Sequence, residues 1–252
     1  MFMIRKIIIL FLAITSTSFA SQTDFLSDQK KYERVRMAYR DKGQLVLQTL
    51  LKENIRLDDL NMLIVAYKYE KQLDVYAKNR NEIKYRKVFS YEICAGSGQP
   101  GPKRKQGDHQ VPEGFYQIDA FNPSSNYYLS LGINYPNKAD RMKSTAANPG
   151  GDIFIHGACV TIGCLPMTNE KIEEIYICAI QARESGQLKI PVYIFPFKPT
   201  DENMKKSGSD YQDNPDLLSF WSNLKTGYDK FQSNMQELKV SVDEHGNYLF
   251  GK

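Results

Sequence analysis

The sequence predicts an α+β fold, mainly β-strands with flanking helices, and three features of its apolar pattern carry that prediction. Residues 21–61 space their apolar side chains three and four positions apart, the period of a helix. From Met62 onward, short runs rich in β-branched and aromatic residues are punctuated by glycine and proline, as in strands joined by turns. After Lys198 the pattern changes to an aromatic stripe at near-helical spacing and then to a hairpin.

The first twenty residues read as a targeting signal outside the fold: Arg5 and Lys6 precede an apolar run from Ile7 to Ile14, and Ser18-Phe19-Ala20 is a small-x-small cleavage site. That run is too short to span a bilayer, and no later stretch approaches spanning length, so no transmembrane anchor is expected in the mature chain. A helical lead-in is expected over 21–61, in two pieces, Tyr32–Tyr39 and Leu45–Leu60, broken at Asp41-Lys42-Gly43. Strands are expected at Leu63–Tyr67 and Leu73–Ala77, flanking a hairpin connection, and then at Val88–Cys94.

Gly96 to Pro102 reads as a turn at the sheet edge, since it opens neither a P-loop nor a dinucleotide fingerprint. Lys103-Arg104-Lys105 is a basic run of the kind usually solvated, with the alternative of meeting an anionic substrate. A turn containing His109 leads into a strand through Ile118, another strand follows at Tyr127–Leu131, and Lys138–Gly151 is a loop long enough to form a lip on the substrate side. Thr168 caps a helix with an apolar stripe of Ile172, Ile175, Tyr176 and Ala179, ending near Gly186, and Leu188–Phe197 closes the sheet. In the tail, 204–214 reads as loop, Pro215–Met235 as a helix packed on the main domain, and Lys239–Phe250 as a hairpin with His245 in its turn. The implied organisation is a signal peptide at 1–20, a helical extension at 21–61, a catalytic domain at 62–198 and a helix–hairpin extension at 199–252.

Charge excludes more than it suggests. Of 33 basic and 29 acidic residues, removal of Arg5 and Lys6 leaves 33 − 2 = 31 against 29, a net charge of +2. That balance, with no recognition motif, argues against a nucleic-acid partner. The four cysteines, at 94, 159, 164 and 178, are too unevenly placed for a small disulfide scaffold. Cys178 falls on a helix as a core residue, and Cys94 ends a strand, in the core or lining a cleft.

The chemistry concentrates in Ile153 to Met167. A short apolar strand delivers His156 and Gly157 at its end, and Cys164 follows eight positions later, behind Gly163. An imidazole and a thiol so placed can form a nucleophile pair in which the base takes the thiol proton and the sulfur attacks a carbonyl. Cys164 lies shortly before the Thr168 helix, whose dipole would lower its pKa. The glycines let main-chain N–H groups approach a developing oxyanion. Blander alternatives stand beside this one: a structural histidine with an inert thiol, a zinc cluster of His156, Cys159 and Cys164, or a Cys159–Cys164 disulfide. The zinc set has no second short-spaced pair to complete it, because Cys94, Cys178, His109 and His245 stand apart.

From about Leu63 to Phe197 the chain resembles the YkuD-type L,D-transpeptidase catalytic domain, and within it the YafK-like branch. The residues carrying this are the Gly107, Pro112, Glu113-Gly114-Phe115-Tyr116 and Ile118 run, the Tyr127–Asp140 run with Leu-Ser-Leu-Gly and Tyr-Pro-Asn, and His156-Gly157 with Thr161-x-Gly163-Cys164. The resemblance implies a β-sandwich or barrel core. Cys164 would be the nucleophile, His156 the base, and Gly157 its orienter through the carbonyl. Gly163 would supply the oxyanion site with the Cys164 N–H, and Thr161 and Arg141 would assist in substrate binding. The loop between His156 and Cys164 is shorter than in the wider family, and Ile162 stands where a His or Arg is frequent.

The implied substrate is the peptidoglycan stem peptide, cut at the L–D bond of its diaminopimelate-type residue through a thioester, in the periplasm, with no cofactor or metal. An amine acceptor would give a cross-link or attach a lipoprotein. Water would give carboxypeptidase action, or release of a peptidoglycan-linked outer-membrane lipoprotein. A non-catalytic wall-binding module, in which the same cleft holds stem peptides and Cys164 could be tied to Cys159, is the remaining alternative.

Overall fold

The computed structural model describes residues 24–251, so the expected signal segment at 1–20 lies outside the described residues. In chain order the elements are α1 (Phe25–Lys30), α2 (Glu33–Lys52), a 3-10 turn (Leu57–Asp59), β1 (Leu60–Tyr67), β2 (Gln72–Asn79), β3 (Arg86–Glu92), β4 (Gly114–Asn122), β5 (Ser130–Ile133) and α3 (Lys138–Lys143). Then follow β6 (Phe154–His156), β7 (Leu165–Pro166), α4 (Asn169–Glu184), β8 (Ile190–Phe195), α5 (Asp201–Asp210), α6 (Pro215–Asn234), β9 (Val240–Val242) and β10 (Tyr248–Phe250).

The expected break at Asp41-Lys42-Gly43 does not occur, and α2 runs through it. A helical glycine costs about 1 kcal/mol against alanine. Burying Val35, Ala38, Val46 and Leu50 outweighs that, at roughly 1.5–3 kcal/mol for each larger side chain.

Eight strands form one sheet in the order β3-β2-β1-β8-β4-β5-β6-β7. β1 and β2 pair antiparallel as the expected hairpin, from Leu60↔Asn79 to Tyr67↔Gln72. β1 pairs parallel with β8, and β6 parallel with β7. Period-two alternation divides the central strands between two cores. Met62, Ile64, Ala66, Val192 and Ile194 face an aliphatic core shared with Val35, Leu50 and the buried stripe of α4. Leu63, Val65, Tyr67, Tyr193 and Phe195 face an aromatic core filled by Phe115, Trp221 and Phe231. The sheet also curls until its two edges meet: past β3, the Cys94 N–H donates to Pro166 O of β7 at 3.1 Å. The α+β prediction holds, with the core a curled mixed sheet sheathed by helices.

The aromatic stripe of α6 is core, as its spacing predicts, with Phe220, Trp221, Leu224 and Phe231 buried. Glu113, fully buried, accepts from Trp221 Nε1 at 2.9 Å, Lys68 Nζ at 2.7 Å and Gly101 N at 3.2 Å, tying α6 to the sheet. Gly227 lets α6 approach closely, since an added Cβ would lie 2.5 Å from Phe115 Cζ and 2.6 Å from Phe250 ring carbons.

Two segments expected as loops contain helices. Within Lys138–Gly151, α3 is started by a capping box in which Asn137 accepts from Asp140 N and Asp140 accepts from Asn137 N. Within 204–214, most residues belong to α5, whose N-cap Thr200 accepts from Asn203 N. Both helices are too polar to show an apolar stripe, so their caps carry the only local signal.

Candidate active site

β6 ends at His156 and β7 begins at Leu165, so the residues expected to react lie at the seam of one parallel ladder. Its register pairs Ile155 with Leu165 and His156 with Pro166. Extending the register by one residue sets Cys164 opposite Phe154, and the Phe154 N–H donates to Cys164 Sγ at 3.4 Å. Phe154 and His156 share a face of β6, because side chains alternate along a strand. The Cys164 Sγ also lies 3.6 Å from the Asp152 carbonyl oxygen, so the sulfur sits against the backbone of β6 at its start while His156 stands at its end, and no hydrogen bond joins the two among the described residues.

His156 is buried and its ring lies 4.8 Å, centroid to centroid, from Tyr127. Nδ1 is 2.6 Å from the Gly157 carbonyl oxygen. A carbonyl only accepts, so Nδ1 carries the proton and Nε2 is left as the basic nitrogen. Burial lowers the imidazole pKa below its ordinary 6.5, partly offset by the bond to Gly157. Cys164 is half-buried and free. Its thiol is raised above the ordinary 9.0 by burial, eased by the Phe154 N–H, raised further by Asp152, and lowered again by Lys103.

The helix-dipole expectation for Cys164 is therefore corrected. β7 and the Thr168 cap intervene before α4 begins at Asn169, and a dipole's effect is spent within a turn. Desolvation governs instead, and at neutral pH the Cys164 thiol and the His156 imidazole both rest uncharged.

The Gly163 and Cys164 N–H groups converge on one oxygen, Thr161 Oγ1, at 3.2 and 2.8 Å. That hydroxyl in turn donates to Cys164 O at 2.9 Å. The two donors thus share a focus, at present filled by the protein's own hydroxyl. Gly163 has φ +138°, which a side chain rarely adopts, and an added Cβ would lie 3.2 Å from Gln110 O.

Cys159 is bonded to Cys94, with Cα atoms 5.6 Å apart. The alternative Cys159–Cys164 bridge is thus overturned, and Cys159 is removed from any zinc set with His156 and Cys164. The bridge staples the loop between His156 and Cys164 to the end of β3, where the curl brings the sheet edges together. Asn169 holds the same loop from α4, its Oδ1 accepting from Ala158 N at 3.0 Å.

Arg141 lies exposed on α3 and makes no hydrogen bond or ion pair to His156 or Cys164 among the described residues. The cation that acts on Cys164 is Lys103, part of the run read as solvated. It is 5% exposed and paired with Asp108 at 2.7 Å. Arg104 is also drawn inward, 3.5 Å from Asp140 and over the Phe220 ring, while Lys105 is exposed. Tyr127, Asn169 and Gln110 had no distinguishing signal in the sequence, since each acts by a contact that only the fold makes. His109 and His245 are exposed and Cys178 is buried core, as expected.

The YkuD L,D-transpeptidase catalytic domain matches residues 61–194. The chain is 40% identical over 192 residues to the putative L,D-transpeptidase YafK of Escherichia coli K12, covering 75% of this chain and 73% of that protein, with the same figures for strain O157:H7. Among solved structures, the helical cell shape determining protein Pgp2 of Campylobacter jejuni is matched at TM-score 0.43 and 21% identity, over 73% of this chain and 74% of that one. Bd1075 of Bdellovibrio bacteriovorus is matched at TM-score 0.39 and 19% identity, over 73% and 75%. By the domain match and the YafK identity together, the chain belongs to the YkuD L,D-transpeptidase family.

Proposed function

We propose that the protein is an exported cysteine acyltransferase of peptidoglycan, acting at the L–D bond of the diaminopimelate-type residue in stem peptides, with Cys164 as nucleophile and His156 as base. The observation that supports it most is the His156 tautomer: Nδ1 is committed to Gly157 O, leaving a basic Nε2 at the end of the strand whose start holds the free thiol of Cys164.

His156 Nε2 takes the thiol proton as Cys164 Sγ adds to the amide carbonyl carbon. The carbonyl oxygen becomes an oxyanion at the focus of the Gly163 and Cys164 N–H groups, displacing Thr161 Oγ1. The imidazolium then gives its proton to the departing amine, the C–N bond breaks, and an acyl thioester remains on Cys164. An amine or water adds to the thioester with His156 again taking the proton, and the thiol is regenerated. The amine gives transpeptidation and water gives hydrolysis, including release of a wall-attached lipoprotein. A neutral resting pair suits this sequence, since proton transfer coincides with attack. The signal segment read at residues 1–20 would deliver the chain to the periplasm, where its substrate lies. No helix among the described residues is long and apolar enough to cross a membrane.

A bridged Cys164 would have favoured the wall-binding alternative; Cys159 is bonded to Cys94 instead, and the free Cys164 thiol supports the catalytic reading. Muropeptide profiles of sacculi incubated with and without the purified protein test the proposal. New dimers mark cross-linking, a gain of tripeptides marks trimming, and loss of protein-linked stems marks release. A profile unchanged by wild type, where a proven L,D-transpeptidase alters it, would refute it.

A further inference from the structure

A cavity of about 490 Å³ lies where α5 and α6 face the loop that follows β3, outside the His156–Cys164 seam. Its walls combine aromatic rings, Phe197, Tyr211 and Trp221, with two lysines, Lys71 and Lys206, whose ammonium groups have no hydrogen-bond or ion-pair partner among the described residues. A third lysine on the wall, Lys68, is satisfied by Glu113 and the Gly101 and Val111 carbonyls and offers nothing further. The two unpaired ammonium groups outnumber the one carboxylate there, Asp210. Ser97 Oγ, also on the wall, is buried without a hydrogen-bond partner. Such a group is costly to leave unsatisfied, and a ligand's polar atom would relieve it.

The loop that walls the cavity is tied to the reacting loop at both ends. At its start, Cys94 is bonded to Cys159, between His156 and Cys164. At its far end, Gln99 N donates to Gln110 Oε1 at 2.7 Å, and the Gln110 carbonyl packs against Gly163, the residue before Cys164. One short segment, Ala95–Pro100, is thus shared between the cavity and the nucleophile's surroundings.

We propose that this cavity is a second binding site, for a carboxylate-bearing stretch of peptide, with Lys71 and Lys206 meeting carboxylates and the aromatic wall taking the apolar parts. The identity of that peptide as part of the stem-peptide substrate rests on the reading of Cys164 as an L,D-acyltransferase; the chemistry of the cavity does not. Two unpaired lysines suit a chain bearing more than one acid group, and the Ala95–Pro100 loop joins the cavity's wall to the surroundings of Cys164.

Trp221 is the chain's single tryptophan, so its fluorescence reports on this wall alone. The full mature chain carrying Cys164→Ala is titrated with a tetrapeptide stem, and with the same peptide having its carboxylates amidated. The expected result is a saturable change in Trp221 emission with the tetrapeptide. Its Kd should rise roughly tenfold on amidation and by a similar factor in Lys71→Gln/Lys206→Gln. Lys206→Gln alone, at an exposed position of α5, keeps the test readable if the double variant fails to fold, with a smaller rise expected. A Kd unchanged within twofold by both amidation and substitution, or no Trp221 response while calorimetry shows the peptide bound, would overturn the proposal. Acylation of Cys164 is scored separately in wild type. A carboxylate-dependent Trp221 response without acylation would sustain the cavity and sink the transferase reading, and acylation without that response would do the reverse.

Discussion

The Cys94–Cys159 bridge closes a long chain loop, with a sequence separation of 65. In the chain-entropy treatment, a loop of that length removes roughly 2.1 + 1.5R ln n cal/mol/K from the unfolded ensemble, worth about 4 kcal/mol at 25 °C. Neither cysteine is a core residue, since Cys94 is half-buried and Cys159 exposed, so Cys94→Ser/Cys159→Ser leaves little cavity and the entropic loss should dominate. At about 2–4 °C per kcal/mol for a chain of this size, Tm should fall by roughly 8–16 °C. The assay is calorimetric unfolding of wild type with and without a phosphine reductant, beside the double variant. Reduction should lower wild-type Tm to that of the variant and leave the variant unmoved. Titration of the oxidised, denatured wild type should find two free thiols, Cys164 and Cys178. Four free thiols in protein from an oxidising compartment, or a Tm insensitive to reduction, would refute the reasoning.

Other outcomes follow from the same geometry. Asp140 is buried under Tyr116 and burial raises its pKa from 3.8 to about 6, so its folded-state proton is held more tightly than in the unfolded chain. Its contribution to stability is full below pH 3.8 and lost as pH rises through about 6. Across that window the stability of Asp140→Asn should gain on wild type by up to about 3 kcal/mol, read from urea midpoints at several pH values, and parallel pH profiles would contradict it. Because burial lowers the His156 pKa, the acid limb of kcat/KM should break below 6.5, and a break above that value would count against His156 as the base. Gly227→Ala gains about 1 kcal/mol of helix propensity but forces a methyl against Phe115 and Phe250, at a cost of about 1–3 kcal/mol, so a net fall in Tm is expected. An unchanged or raised Tm would mean that α6 shifts freely.

What the sequence disclosed and what it withheld divide by the range of the interaction. His156, Gly157 and Cys164 were visible as candidates because imidazole, glycine and thiol lie within one strand–loop–strand segment, and α6 because Phe220, Trp221, Leu224 and Phe231 keep a helical spacing. Cys94 as the partner of Cys159 was not, because it depends on the sheet curling until the end of β3 reaches β7. The thiol's depressed pKa was inferred from proximity to a helix start, and the two residues of β7 and the burial of the site reverse it. Lys103 looked like solvated loop, yet Asp108 draws it inward to pair at 2.7 Å. The unbroken α2 shows tertiary burial overriding a local glycine, and α3 and α5 show helices set by caps where no apolar stripe exists.

The most direct test of Cys164 as nucleophile is the intact-mass spectrum of the mature protein quenched during turnover of a tetrapeptide stem. Wild type should carry one added mass equal to the acyl part of the cleaved peptide, mapped to Cys164. It should be absent in Cys164→Ala and accumulate about 10²–10⁴-fold more slowly in His156→Ala, the span of a lost general base. Product formation by Cys164→Ala at the wild-type rate, or an adduct mapped to any other residue, would contradict the assignment.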